Sequence, residues 1–287
     1  MKRSLLYPLA AADAQFHSEW LEEITLAEEL SIDTIWCLPT AGESGSFRLG
    51  APEMWIATAA SRTQRVRLGW GIAGMLPPEK PPIRSAEKIA SLDLASKGRL
   101  EIALLPEVGA TFGADPDCDW QEGIRMWVEM WDAPTFSWTS DRFQVPPVDV
   151  LPKPSQRPHP ALRLVGWSDL HAGLAGRAGL GFVDVSGGTD EILEMHRDVY
   201  VAARSEASPD DLVSVASFAA AVDGAAEDFV AKSLGERLEA WRTLEFDEAL
   251  VQLASPSDRP TEEAGEAARG LIRSLASGIE DSDGQLH

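Results

Sequence analysis

The sequence predicts a single (β/α)8 barrel, an α/β TIM barrel, and three observations carry that prediction. Apolar strands and amphipathic helices alternate eight times, the pattern that builds a parallel sheet covered by helices. One such unit is almost undisturbed between Gln64 and Glu107. Strand Val66–Ala73 leads through a Pro-rich loop to helix Ile83–Leu94, the turn Ser96-Lys97-Gly98-Arg99 and strand Leu100–Leu105. Finally, 287 residues with 44% hydrophobic content suit one large barrel with a substantial core. Residues 1–278 form the barrel domain on this reading, and the acidic, polar residues 279–287 a disordered tail.

The elements follow in order. Ser4–Leu9 is the first strand, and helix Ser18–Leu30 begins on Ser18 as N-cap with Leu21, Ile24 and Leu26 facing inward. Strand Thr34–Leu38 leads to a loop, Pro39–Ala51, and to helix Pro52–Arg62, with proline at its start. The unit quoted above supplies strands three and four. In helix Asp119–Trp131, Trp120, Ile124, Trp127, Val128 and Trp131 recur at helical spacing and predict core packing. Phe136–Val150 predicts a hairpin turning at Ser140-Asp141, followed by a Pro-rich connector, Leu151–Pro160. Five prolines between 146 and 158 make this an extended insert between strands four and five. Strand Leu162–Gly166 and helix Asp169–Ala178 resume the alternation. Then come strand Gly181–Val185, helix Asp190–Arg204, strand Leu212–Val222, helix Ala226–Leu244, the weaker strand Ala249–Ala254 and helix Glu262–Ser277.

Composition excludes several functions. A net charge of −21 leaves no basic patch for nucleic acid. The acidity serves solubility, or steers a cationic substrate. The two cysteines, Cys37 in an apolar strand and Cys118 in an acidic loop, have no metal-site spacing and read as idle thiols in a reducing cytoplasm. Met1–Ala14 imitates a signal peptide, but its apolar run is short and broken by Tyr7 and Pro8. No run approaches the 18 apolar residues of a membrane span, so the expectation is a cytoplasmic protein with no membrane partner and a small-molecule substrate.

Barrel enzymes work at the C-terminal ends of their strands. Those ends offer Tyr7, Leu38 to Thr40, Gly71 to Gly74, Leu105 to Glu107, Trp167 and Ser168, Ser186 to Gly188, and Ala219-Ala220. No histidine ends a strand; His171, three residues past Ser168, is the candidate general acid–base, a solvated helix residue being the alternative. Glu107 is a candidate carboxylate of raised pKa, or a solvated loop residue. Ser168 opens a strand-to-helix turn whose free N–H groups suit a phosphate, unless it is an ordinary N-cap. The Ser186-Gly187-Gly188 turn lets backbone approach a ligand closely. Gly71, Ala73 and Gly74 offer a flat surface to a ring, with Tyr7, Trp36 and Trp70 as candidate pocket walls.

Several phrases, in order, carry a resemblance: Leu26–Trp36 (LAEELSIDTIW), Ala57–Gly69 (ATAASRTQRVRLG), Ala86–Arg99, the helix around Glu122 and Trp131, and Pro152-Lys153-Pro154 through His159-Pro160. Over roughly residues 18 to 185 the chain resembles the bacterial luciferase-like flavin monooxygenases. The resemblance implies a (β/α)8 barrel, dimeric through helices near residues 52–94, that uses reduced FMN or a deazaflavin with O2. It implies no metal. Ala73-Gly74 matches the small pair beside the flavin ring, and Ser168 the phosphate serine. Elsewhere the sequence departs. Pro39 and Thr40 stand where the family has acidic and histidine residues, Pro106 or Glu107 where it has an arginine, and Trp167 where an acidic residue is usual. A phosphate dianion gains about 1.5–3 kcal/mol from each charge-assisted hydrogen bond, so the lost arginine weakens flavin binding unless Arg48 or Lys80 substitutes. Three functions therefore stay open. One is a flavin monooxygenase whose pocket is reshaped by Thr40, Glu107 and Trp167. Another is a barrel that has lost flavin and works without cofactor. The third is a non-catalytic partner subunit of a flavin-binding homologue.

Overall fold

Eight parallel strands close on one another in this computed structural model, which describes residues 1–9, 14–41, 47–48, 51–73, 81–105, 119–208, 213–223, 231–253 and 262–277. The barrel strands are β1 (Lys2–Leu9), β2 (Thr34–Ala41), β4 (Arg67–Ala73), β5 (Leu100–Leu105), β8 (Ala161–Gly166), β9 (Gly181–Asp184), β10 (Phe218–Asp223) and β11 (Glu248–Gln252). They are hydrogen-bonded in the order β1-β11-β10-β9-β8-β5-β4-β2, and β1 pairs with β2 to complete the ring. Closure removes the exposed edges that an open sheet would present. The helices are α1 (Ala14–Glu29), α2 (Pro52–Arg62), α3 (Ile83–Ala95), α4 (Asp119–Asp132), α5 (Asp169–Arg177), α6 (Asp190–Glu206), α7 (Ala231–Thr243) and α8 (Glu262–Ser277). The hairpin β6 (Phe136–Thr139) and β7 (Gln144–Val148) interrupts the alternation where the sequence places it, with Ser140 at its turn.

Side chains alternate across each strand, so the barrel has an inner and an outer face. The outer face, with Leu5, Ile35, Leu68, Ile102, Leu164 and Phe182, packs against the helices. The inner face carries a smaller apolar cluster of Leu6, Trp36, Leu38, Ala103, Val165, Val183, Ala219, Ala221 and Leu250. Beneath it, near the N-terminal strand ends, lies a charged layer. Arg163 donates to Glu101 Oε2 at 2.7 Å and to Glu248 Oε2 at 2.5 Å, with side chains no more than 5% exposed. Arg67 reaches Glu101 Oε1 at 2.5 Å, and Ser4 Oγ and Trp36 Nε1 donate to Glu248 Oε1. Burial opposes the charge on Arg163, but the two carboxylates outweigh it and raise its pKa. For Glu101, burial is outweighed by Arg163, Arg67 and Lys2, which hold its carboxyl below the usual range. In barrels this end serves stability.

The motifs that carry the resemblance do structural work. Asp93, fully buried, accepts four hydrogen bonds from Ser155 and Gln156 and fastens the Pro-rich connector, which contains two cis prolines, Pro152 and Pro158. Arg99 bonds the carbonyls of Ala60, Thr63, Val66 and Ser96. The tryptophan stripe of α4 is core: Trp127 and Trp131 stack at 5.9 Å, and their N–H groups reach Pro82, Ser85 and Ala86 of α3 and the residue before it.

Three boundaries near the mouth or in its strands and helices differ from expectation. Helix α1 begins at Ala14, so Ser18 lies inside it and is no N-cap. Strand β2 runs on to Ala41, and β3 (Phe47–Arg48) folds back antiparallel on it, pairing Thr40 with Arg48. The expected strand Leu212–Val222 starts late, at Phe218, because Ser214 and Ser217 bond across to Gly179, Leu162 and Phe182 instead of entering the ladder. Ala219 and Ala220 are therefore buried mid-strand and do not reach the mouth. The expected start of α7 at Ala226 and the tail 279–287 lie outside the described residues.

Candidate functional site at the C-terminal mouth

The mouth is built by where each strand stops. Strand β8 ends at Gly166, and the next two residues, Trp167 and Ser168, form the turn into α5. Gly166 is required there: a Cβ on it would lie 2.3 Å from His171 Cβ and 2.8 Å from Phe182. Its absence lets α5 lean onto the strand. Ser168 occupies the N-cap position but makes no side-chain cap bond. Its Oγ lies instead 2.7 Å from His171 Nδ1. His171 is 7% exposed, buried rather than solvated. Burial lowers its pKa; Asp169 and Asp184 push it up, and His196 pushes it down. The Trp167 ring leans on His171 at 4.4 Å, and the residue stays 45% exposed. It rims the mouth.

The neighbouring strand end adds a second polar turn. Ser186 N–H donates to Asp184 Oδ1, Gly188 N–H donates to Ser186 Oγ, and Gly187 takes a φ of 64° with open space where a Cβ would stand. Behind it His196 Nδ1 sits 2.6 Å from Asp184 Oδ2, both buried. Sequence reasoning missed this pair, which a strand and a helix bring together across twelve residues. It also missed Arg237 on α7, which donates to Gly188 O at 2.7 Å and lies 5.3 Å from the Trp241 ring. Arg237 also lines, with Thr189, Asp190, Glu191 and Glu236, a cleft of about 420 Å³.

The other candidates divide. Gly71 faces inward on β4 opposite Ala103, and Ala73 pairs with Leu105 one step higher. Thr40 pairs with Arg48 near the end of β2. Gly74, Pro106, Glu107 and Lys80 lie outside the described residues. Tyr7 and Trp70 are on the outer face: Tyr7 meets Trp20 edge-on at 6.3 Å, and both belong to the layer under the helices. As candidate pocket walls they are corrected, because strand alternation turns them away from the barrel. Trp36 does face inward, but deep, its ring 5.2 Å from the Arg163 guanidinium and against Gly69, where a Cβ would lie 2.1 Å from the ring. It floors the barrel. Thus the structure brings together Trp167, Ser168 and His171, and beside them Ser186, Gly187 and Gly188. Among the described residues no three histidine, cysteine or carboxylate side chains gather to hold a metal ion. Nor is any helix among them long and apolar enough to cross a membrane.

This donor set suits a flat, largely apolar group with an anionic tail. The inner wall beneath the mouth is small-sided at Gly71, Ala103 and Ala221, Trp167 offers an aromatic face, and the Ser168 hydroxyl sits at the strand-to-helix turn, where Leu170 N–H already donates to Asp169 Oδ1.

Comparison with known proteins gives the family. The sequence profile described as luciferase-like monooxygenase matches residues 10–286. The chain is 34% identical over 93 residues to limonene 1,2-monooxygenase of Rhodococcus erythropolis, a match covering 32% of this chain and 23% of that protein. Such matches span about a quarter to a third of the curated relatives' own length. Among solved structures, monooxygenase RslO1 from Streptomyces bottropensis superposes with a TM-score of 0.74 at 20% identity, covering 98% of this chain and 99% of that one. The oxygenating constituent of 3,6-diketocamphane monooxygenase from Pseudomonas putida, solved in complex with FMN, gives 0.65 at 15% identity, covering 98% and 97%. These structures share the barrel fold, and the profile match places the protein: the chain belongs to the luciferase-like monooxygenase family.

Proposed function

We propose that the protein is a flavin-dependent monooxygenase of a small organic substrate, with reduced FMN held at the C-terminal mouth. The observation that carries this reading is the family match over residues 10–286, combined with a mouth whose turn keeps Ser168 beside an exposed aromatic face. When bound, the reduced flavin supplies the electrons with which O2 is activated. The chain's residues do the rest. Ser168 and the start of α5 would hold the phosphate, where the helix dipole favours an anion. Trp167 packs against the ring system, and Gly71 and Ala103 let it approach the wall. Val165, Val183 and Leu6 exclude water below it. A partner copy seated on α2 and α3, where Met54 is 64% and Leu94 45% exposed, completes the proposal.

Titration of the purified chain with oxidised and then anaerobically reduced FMN, followed by fluorescence and calorimetry, tests it. Saturable binding, tighter for the reduced form, is expected. Absence of binding up to millimolar flavin would leave a barrel working without cofactor or a silent subunit.

A further inference from the structure

We propose that His171 is a positioning residue that couples anion binding at the β8–α5 turn to uptake of a proton. The inference rests on the reading that this turn holds the flavin phosphate, and it concerns how Ser168 presents its hydroxyl to that group.

The Ser168–His171 contact allows two hydrogen-bond polarities. Ser168 Oγ and His171 Nδ1 are 2.7 Å apart. When the imidazole is neutral with Nδ1 unprotonated, Nδ1 only accepts, so the serine proton is committed to it and the oxygen lone pairs face the mouth. An anion there meets negative charge. When Nδ1 carries a proton, in the neutral Nδ1–H tautomer or in the cation, it donates to Oγ and the hydroxyl proton is released to point at the anion. Only the cation also sets a positive charge beside the anion, and that charge is what couples binding to proton uptake. The imidazole cannot swing away to escape this choice. It is 7% exposed, its Cβ fills the space that Gly166 vacates, and the Trp167 ring lies 4.4 Å from its own. Protonation also sets a cation beside that aromatic ring, which favours the charged form.

The charged groups around His171, among the described residues, set the balance. Asp169 faces it from α5 and Asp184 from β9, both favouring the cation; His196 of α6, itself hydrogen-bonded to Asp184, opposes it. Burial outweighs the aspartates and holds the pKa below 6.5 in the free protein, so His171 is neutral near pH 7. A dianion at Ser168 pulls the pKa back up. Between the free and bound values, binding takes up one proton, and affinity rises as pH falls.

Calorimetry of the full-length chain with FMN, in buffers of different ionisation enthalpy near pH 6.5, counts the protons. Riboflavin, lacking the phosphate, and inorganic phosphate, lacking the ring, separate the two contributions. His171→Asn keeps a polar atom for Ser168 but does not titrate in this range, so it gives the uptake due to the phosphate's own ionisation. We expect uptake by the parent to exceed that of the variant, by at most one proton. FMN affinity of the parent should also gain roughly tenfold more than the variant's between pH 7.5 and 5.5. If FMN binds more tightly than riboflavin but proton uptake is equal in the two proteins, the inference falls and the flavin reading stands. If FMN and riboflavin bind equally and phosphate does not bind, the placement of the phosphate falls with it; if no flavin binds, the proposed function falls as well. Should His171→Asn fail to fold, the His171 imidazole resonance of the parent decides. An upward pKa shift on adding FMN is expected, and an unmoved pKa overturns the inference.

Discussion

Replacing Arg163 with methionine should cost the barrel a large share of its stability. The guanidinium bridges two buried carboxylates, Glu101 at 2.7 Å and Glu248 at 2.5 Å, with side chains 2% and 1% exposed. Methionine fills the volume but leaves two charges without their shared counter-ion. Breaking a buried pair in this way costs about 3–5 kcal/mol, against a typical total of about 5–15. Arg67 at 2.5 Å and Lys2 at 3.8 Å still compensate Glu101, which puts the expected loss near the lower end, about 3 kcal/mol. With a urea m-value of about 3 kcal/mol/M, the unfolding midpoint should fall by about 1 M. Adding Glu248→Gln to Arg163→Met should then recover about half, since Ser4 and Trp36 still donate to the remaining oxygen. Urea unfolding followed by circular dichroism reads all three proteins. A loss under about 1 kcal/mol for Arg163→Met, or a further loss on adding Glu248→Gln, would refute the reasoning that desolvated charge decides here.

Three other outcomes follow from the same structure. Gly69→Ala drives a methyl to 2.1 Å from the Trp36 ring, which Glu248 and Arg163 hold in place, so a loss of about 3 kcal/mol is expected in the same assay. Glu28 accepts from the backbone N–H groups of Gln64, Arg65 and Val66; burial raises its pKa, but those bonds outweigh it and the net shift is downward. Its contribution is therefore present above the ordinary glutamate value and lost as pH falls through the depressed one, so the stability gap between the parent and Glu28→Gln should begin to narrow below about pH 4.5; a gap that does not narrow as pH falls from about 5 to about 3 would contradict this. Burial pushes the Cys37 thiol up to about 12, so peptide mapping after iodoacetamide should find Cys37 unmodified in the native protein and labelled in urea.

The fold was legible because its signals are local. Helix α2 and helix α8 run between the residues their periodicity and caps indicate, and the tryptophans of α4 pack as their spacing requires. The site was less legible for two reasons. Strand ends were read without their alternation, which admitted Tyr7 and Trp70, although β1 and β4 turn both side chains under the helices. Contacts made by closure leave no local trace: Glu101, Arg163 and Glu248 are separated by 62 and 85 residues and meet only because β5, β8 and β11 share one interior. The Asp184–His196 pair is similar, since only the crossing of α6 over β9 makes twelve residues into 2.6 Å. Ser168 and His171, three residues apart across a helix start, were readable as neighbours; that the histidine is buried was not.

The central claim is that the mouth beside Ser168 and Trp167 is a flavin site. Its most direct test is an experimental structure of the chain with FMN. The account predicts the ring system against Trp167 and the Gly71 wall, with the phosphate hydrogen-bonded at the β8–α5 turn. FMN seated elsewhere, for instance in the cleft lined by Thr189 and Arg237, or a mouth left vacant at saturating flavin, would contradict it.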